Sequence, residues 1–227
     1  MKNKKGFTIP IILAVVFALL FIALILIVKT VDVAAVGPAG TEVGLSAVNS
    51  AVHDRFGYDA LFEKISKYIG YAAILVVALC AVLALVQLIK RKSILKIDGE
   101  LLALGGVFAI TAGLYALFEV AVVNFRPVLE EGQTFPEASF PSSHAMLIAV
   151  VFIATAVFVH KHLLADKPVL RNIIVFALSL IGVTGVFCRF FSGVHWLSDI
   201  IGGILVSLAL IFLYYAIVRL IESRRAA

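Results

Sequence analysis

Six long runs with no charge, or with a single one, decide what this chain can become. They are Phe7–Val28, Tyr68–Ile89, Leu101–Phe125, Ser143–Val159, Asn172–Cys188 and Ile200–Val218. Each is near the ~20 residues that an α-helix needs to cross a hydrocarbon core, where backbone N–H and C=O groups must pair internally. Hydrophobic residues make up 63% of the chain and charged residues 15%, against about 25% charged in a typical soluble domain. The expected fold is therefore an all-α, polytopic membrane bundle with six transmembrane helices, a single integral membrane domain over residues 1–227.

The first run follows Met1-Lys2-Asn3-Lys4-Lys5 and is 22 residues long. That exceeds the roughly 7–15 residues of a signal-peptide core, so it is expected to remain as a spanning helix. Val33-Ala34-Ala35 leaves a cleavage alternative. Between the first two runs, Leu45, Val48, Val52 and Phe56 fall on one helical face, with Glu42, Asn49, His53 and Asp54 elsewhere. This pattern predicts an amphipathic, extracellular helix lying at the membrane interface, with His53 solvated on its polar face.

The net charge of +5 reads as membrane topology and not as a nucleic-acid surface. One side of the bundle collects 13 Lys and Arg: the N-terminus, residues 90–100, residues 160–171 and the tail. The other holds six, Lys29, Arg55, Lys64, Lys67, Arg126 and Arg189. The positive-inside tendency then puts both termini in the cytoplasm of a multi-pass cell-membrane protein. Cys80 and Cys188 fall in or beside apolar runs and imply no disulfide framework.

On that topology, three separate loops deliver polar groups to the outer ends of the helices. They carry Arg126 and Pro127, then Ser142, Ser143 and His144, then Arg189, His195 and Asp199. Two guanidinium forks suit phosphate oxygens and stay charged at any working pH. If a helix starts at Ser142 or Ser143, its hydroxyls and unpaired backbone N–H groups offer an anion site. His195 and Asp199 are four apart, the spacing of a base or nucleophile held in one tautomer by a carboxylate. His144 is then free to protonate a leaving oxygen. Singly, each residue has a plainer explanation: Arg126 and Arg189 as snorkelling anchors, Ser142 and Asp199 as helix caps. Anchoring alone does not explain all of them on one side.

Pro141-Ser142-Ser143-His144, Cys188-Arg189-x5-His195-x3-Asp199 and Arg126-Pro127 together resemble the three motifs of the type 2 phosphatidic acid phosphatase superfamily, K-x6-R-P, P-S-G-H and S-R-x5-H-x3-D. The resemblance covers about Leu101 to Val218. It implies metal-independent hydrolysis of a lipid phosphate or diphosphate through a phosphohistidine, with no cofactor, at the outer membrane face. His195 would attack phosphorus, Asp199 would orient it, and His144 would protonate the leaving group. Arg126, Arg189, Ser142 and the backbone around Ser143 would hold the phosphoryl oxygens. The implied substrates are undecaprenyl diphosphate, phosphatidic acid and phosphatidylglycerophosphate.

Three positions depart from the motifs. Glu119 stands at the first motif's lysine, Ser143 at the second motif's glycine and Cys188 at the third motif's serine. Glu119 is read either as tuning substrate choice, paired with Arg126 or facing a cationic or hydroxyl-bearing head group, or as a buried carboxylate paired within the bundle. Cys188 is read as packing. Two alternatives stay open beside hydrolysis: a lipid phosphotransferase, and a non-catalytic lipid-binding or transport protein on the same fold. A serine protease built on Ser142 and His144 leaves both arginines without a role. Phe190, Phe191 and Trp196 are expected at the interface beside the site, as an aromatic belt or as contacts to an acyl chain. Gly105 and Gly106, Gly182 and Gly185, and Gly202 and Gly203 are expected at close helix contacts.

Overall fold

The computed structural model describes residues 6–129 and 132–225; Lys2, Lys4 and Lys5, counted above for topology, lie outside them. The chain forms α1 (Thr8–Thr30), α2 (Ser46–Phe56), α3 (Ala60–Arg91), α4 (Gly99–Val120), α5 (Ser143–His162), α6 (Pro168–Phe191) and α7 (Leu197–Arg225). All but α2 are long and apolar enough to span a membrane. Among the described residues, extended pairing is confined to two isolated bridges, Ala34 with Val43 and Phe125 with Ala138.

Local chemistry sets several helix ends. The Asp59 carboxylate accepts from Leu61 N and Phe62 N at 2.8 and 3.0 Å, starting α3. Pro168 opens α6, where its missing N–H costs nothing. Lys92 closes α3 in the left-handed conformation. The third apolar run was expected to stay helical to Phe125, but α4 ends at Val120. Residues 124–126 instead pair with 137–139: Ser139 N donates to Asn124 O and Arg126 N to Glu137 O, both at 2.9 Å. Pro127 accounts for part of this, because it disfavours helical backbone at the residue before it.

The central helix is α5. It packs against α3, α4, α6 and α7, and Met146, Ile148, Val150, Val151 and Phe152 on it are buried. Helix α1 lies along α7 and presents most of its apolar surface outward. Close packing is made by two of the three glycine pairs. A Cβ at Gly185 would sit 2.7 Å from Ile148 Cγ2, and one at Gly202 would sit 2.7 Å from the Phe140 ring. Gly182 and Gly203 are similarly tight, at 3.0 Å from Phe152 Cβ and from Ser142 O. Gly105 and Gly106, expected at a contact, meet nothing within 4 Å. Sequence spacing shows where helices can approach, and only the packing shows where they do.

Helix α2 forms near its expected place, with its polar side against the bundle and apolar residues outward. Ser46 and Asn49 are buried against the bundle, whereas Val48 is 53% and Phe56 50% exposed. Its polar side docks because Asn49 finds partners there: its Nδ2 donates to Gly44 O at 2.8 Å and to Ser198 Oγ at 2.9 Å. His53 is half-buried with its ring 5.4 Å from Trp196, not solvated as expected.

The glycine contacts generate a contrast. Gly185→Val should lower the thermal midpoint in detergent by an amount corresponding to about 1–3 kcal/mol, the usual cost of overpacking. Gly106→Ala should leave it unchanged or raised, since alanine favours helix and displaces nothing. Equal effects of the two substitutions would contradict this packing.

Candidate active site

The N-terminus of α5 forms one wall. Ser142 is buried, its N donates to Asp199 O at 3.0 Å, and its Oγ accepts from Ala145 N at 3.4 Å as the helix N-cap. The loop before it is pinned by Phe140, which stacks on Phe21 of α1 with centroids 5.9 Å apart and fills the space left by Gly202. The first turn of α5 thus presents Ser143 and His144 with backbone N–H groups that have no helical acceptor. His144 is half-buried, its ring against α3, where a Cβ at Gly70 would lie 3.3 Å from Cδ2.

The α6–α7 connection forms the second wall. Arg189, in the last turn of α6, is 1% exposed, and its Nη2 lies 3.0 Å from His195 Nε2. A guanidinium can only donate, so Nε2 is the accepting nitrogen and the ring proton belongs on Nδ1. Nδ1 faces Asp199 Oδ2 at 3.6 Å, an ion-pair separation longer than a hydrogen bond, and the Ser139 backbone also reaches this ring. Burial holds the His195 imidazole well below its ordinary pKa, and the charges of Arg189, Arg126 and His144 act in the same direction. The turn itself needs Gly193, whose φ is +66° and where a Cβ would collide with Gly57 O.

Asp199 has no exposed surface. Its Oδ2 accepts from Trp196 N at 3.0 Å, and its Oδ1 accepts from Asn124 Nδ2 at 3.4 Å. Ser198, beside it, is held by Asn49, whose Oδ1 accepts from Ser198 N at 3.1 Å. Neither Asn49 nor Asn124 was selected from the sequence as a site residue. Asn124 had one sequence signal, an amide in the apolar Val122-Val123 stretch two residues before Arg126. Asn49 had none, because its role depends on which side of α2 docks.

The loop after α4 supplies the third wall. Arg126 Nη2 pairs with Glu137 Oε2 at 3.0 Å, and its positive charge reaches both His144 and His195. Trp196 binds this loop to the second wall: its Nε1 donates to Phe125 O at 2.7 Å. At 3% exposure Trp196 is an interior bolt and not the belt residue expected. Phe190 and Phe191 are partly buried and pack against Phe56. Glu119 is exposed, which excludes the buried carboxylate; it shares a shallow cavity with Tyr115, Ser139, Pro141 and Ser143. Cys188 is buried, as a packing role requires.

The structure therefore gathers Ser142, His144, Arg189, His195 and Asp199, with Arg126 within electrostatic reach and Ser143 and Glu119 at the edge. An accepting histidine nitrogen beside a buried guanidinium, next to a helix N-terminus, is a site for an anion that the histidine can attack.

Known proteins share part of this sequence and its fold. Over 93 residues, 40% of the chain, it is 33% identical to phosphatidylglycerophosphatase B of Bacillus subtilis (strain 168); the matched stretch spans 42% of that relative's length. The fold is similar to the crystal structure of the first transmembrane PAP2 type phosphatidylglycerolphosphate phosphatase from Bacillus subtilis, with a TM-score of 0.62 and 20% identity. That likeness covers 89% of this chain and 94% of the other. The PAP2 superfamily model matches residues 100–222, more than half of the chain and the stretch holding all three walls of the site, and the chain belongs to that superfamily.

Proposed function

We propose that the protein hydrolyses a phosphate or diphosphate ester of a membrane lipid at the outer face, through a phosphohistidine on His195. The observation carrying this reading is the 3.0 Å contact of Arg189 Nη2 with His195 Nε2, which leaves Nε2 without a proton beside a phosphate-binding cation; a bound phosphate takes over the guanidinium donor and frees the lone pair to attack. The family and the curated relative, a phosphatidylglycerophosphatase, support the same reaction class.

In the first step, Nε2 attacks phosphorus and the P–O bond to the lipid breaks. His144 gives its proton to the departing oxygen. Asp199 keeps the Nδ1 proton directed inward and balances the charge that His195 gains. In the second step, water attacks the phosphohistidine, His144 takes its proton, and phosphate leaves with His195 restored. Arg189, Arg126, Ser142 and the Ser143 backbone bind the equatorial oxygens, where charge builds in the transition state. The distribution of Lys and Arg supports placing this end of the bundle outside, with undecaprenyl diphosphate, phosphatidic acid and phosphatidylglycerophosphate as substrates to compare. Glu119, exposed beside Ser143, is positioned to discriminate among their head groups.

Purified protein in detergent should release phosphate from one or more of these lipids and keep that activity in EDTA. His195→Ala should lower kcat by at least about a thousandfold, as loss of a nucleophile does. Full activity of that variant would rule out the mechanism. The pH dependence has a definite sign. Attack needs neutral His195, and burial disfavours its charged form. The acid limb of kcat/KM should therefore break below the region near 6.5 where an ordinary imidazole titrates, while the alkaline limb reports loss of the His144 proton. An acid limb breaking at 7 or above would contradict a buried neutral nucleophile. For the orientation, a cysteine at Glu42 should react with an impermeant thiol reagent on intact cells, whereas one at Lys96 should react only after permeabilisation.

A further inference from the structure

The first turns of α3 stand against the site and have no part in the chemistry above. Their position is fixed at both ends. Asp59 N donates to Ser192 O at 3.1 Å, and Gly70 lies against the His144 ring. Lys67 is three residues before Gly70, so it occupies the same helix face one turn nearer the α3 N-terminus. Its Nζ pairs with Glu63 Oε1 at 2.7 Å, and Glu63 Oε2 accepts from Tyr58 OH at 2.5 Å. The ammonium is thus held in place while the side chain stays 46% exposed. The charges of Lys67 and Glu63 both reach His144, and that of Arg189 reaches Glu63. On the other side of the site, Glu119 and Glu137 expose carboxylates.

We propose that Lys67 is a substrate-binding residue that holds the phosphate of the leaving group when the substrate is a lipid diphosphate. This rests on the hydrolase reading given above. When His195 attacks the terminal phosphorus of a diphosphate, the bridging P–O bond breaks and a lipid monophosphate departs. His144 protonates the bridging oxygen, and the remaining phosphate oxygens stay anionic on the His144 side. A cation placed there stabilises charge that develops as the bond breaks. A monophosphate ester leaves as a neutral alcohol and has no anion for Lys67 to hold. An ammonium has three donors, so Lys67 can keep Glu63 and still reach a phosphate oxygen. Lys67 is therefore a specificity determinant for diphosphates over monophosphates.

The test compares kcat/KM for farnesyl diphosphate and farnesyl monophosphate in the full-length protein. In Lys67→Met and Lys67→Gln, the diphosphate-to-monophosphate ratio should fall by about tenfold or more, the usual effect of losing a hydrogen bond to a charged group. Lys67→Arg should recover most of it. Glu63→Gln removes the ion pair but keeps the cation, and should change the ratio by no more than about twofold. An unchanged ratio in Lys67→Met and Lys67→Gln overturns the proposal. So does an equal fall in Glu63→Gln, which would make Lys67 only the partner of Glu63. If the unaltered protein releases phosphate from neither farnesyl lipid, this proposal fails; the hydrolase reading fails with it only if phosphatidic acid and phosphatidylglycerophosphate also release none. An active protein with an unchanged ratio removes Lys67 alone.

Discussion

A carboxylate with no solvent contact is tolerated only where donors replace the water it has lost, and Asp199 shows how much of the fold that requirement recruits. The backbone of Trp196 and the amide of Asn124 donate to its oxygens, and its own carbonyl accepts from Ser142 N. Through Ser198, the same cluster reaches Asn49 and so fastens α2 to α7. One short stretch of α7 thereby fixes α2, the loop after α4 and the start of α5. Loss of either asparagine would leave buried polar groups unmatched, which costs more than the bond itself contributes.

The site forms where these fastened pieces meet. Arg189 and His195 belong to one connection, but their contact depends on the turn at Gly193, and that turn depends on Gly57 lying against it. The α5 N-terminus is held forward by Phe140, wedged between Phe21 and Gly202. Apolar packing within the bundle thus sets the geometry of polar groups at its end. A second polar cluster stands at the opposite end, where buried Glu100 pairs with Arg225 at 2.6 Å. It has the form of a structural ion pair between α4 and α7, with Glu100 itself supplying the negative charge at the α4 N-terminus.

Much of this was legible in the residues. The apolar runs marked all six spanning helices, and the four-residue spacing of His195 and Asp199 placed an imidazole and a carboxylate one turn apart, with Arg189 in the same connection. Apolar runs do not show where a helix stops within them, and α4 ends five residues before its run does. The break comes from backbone pairing between 124–126 and 137–139, a non-local event. Helical periodicity showed that α2 is two-faced but not which face docks. The amide of Asn49 meeting Ser198 outweighs exposing Val48 and Phe56, which a lipid interface accommodates.

Sequence alone determined the fold class, the family resemblance and the residue types at the site, because these follow from local composition and from motif spacing. The tertiary structure decided which groups touch. It paired Arg189 with the accepting nitrogen of His195, surrounded Asp199 with Asn124 and Trp196, buried Trp196, left Glu119 exposed, and brought the charge of Lys67 within electrostatic reach of His144. The physical reason is range. Hydropathy and helical spacing act over neighbouring residues, whereas each of these contacts depends on how separate helices and loops pack against one another.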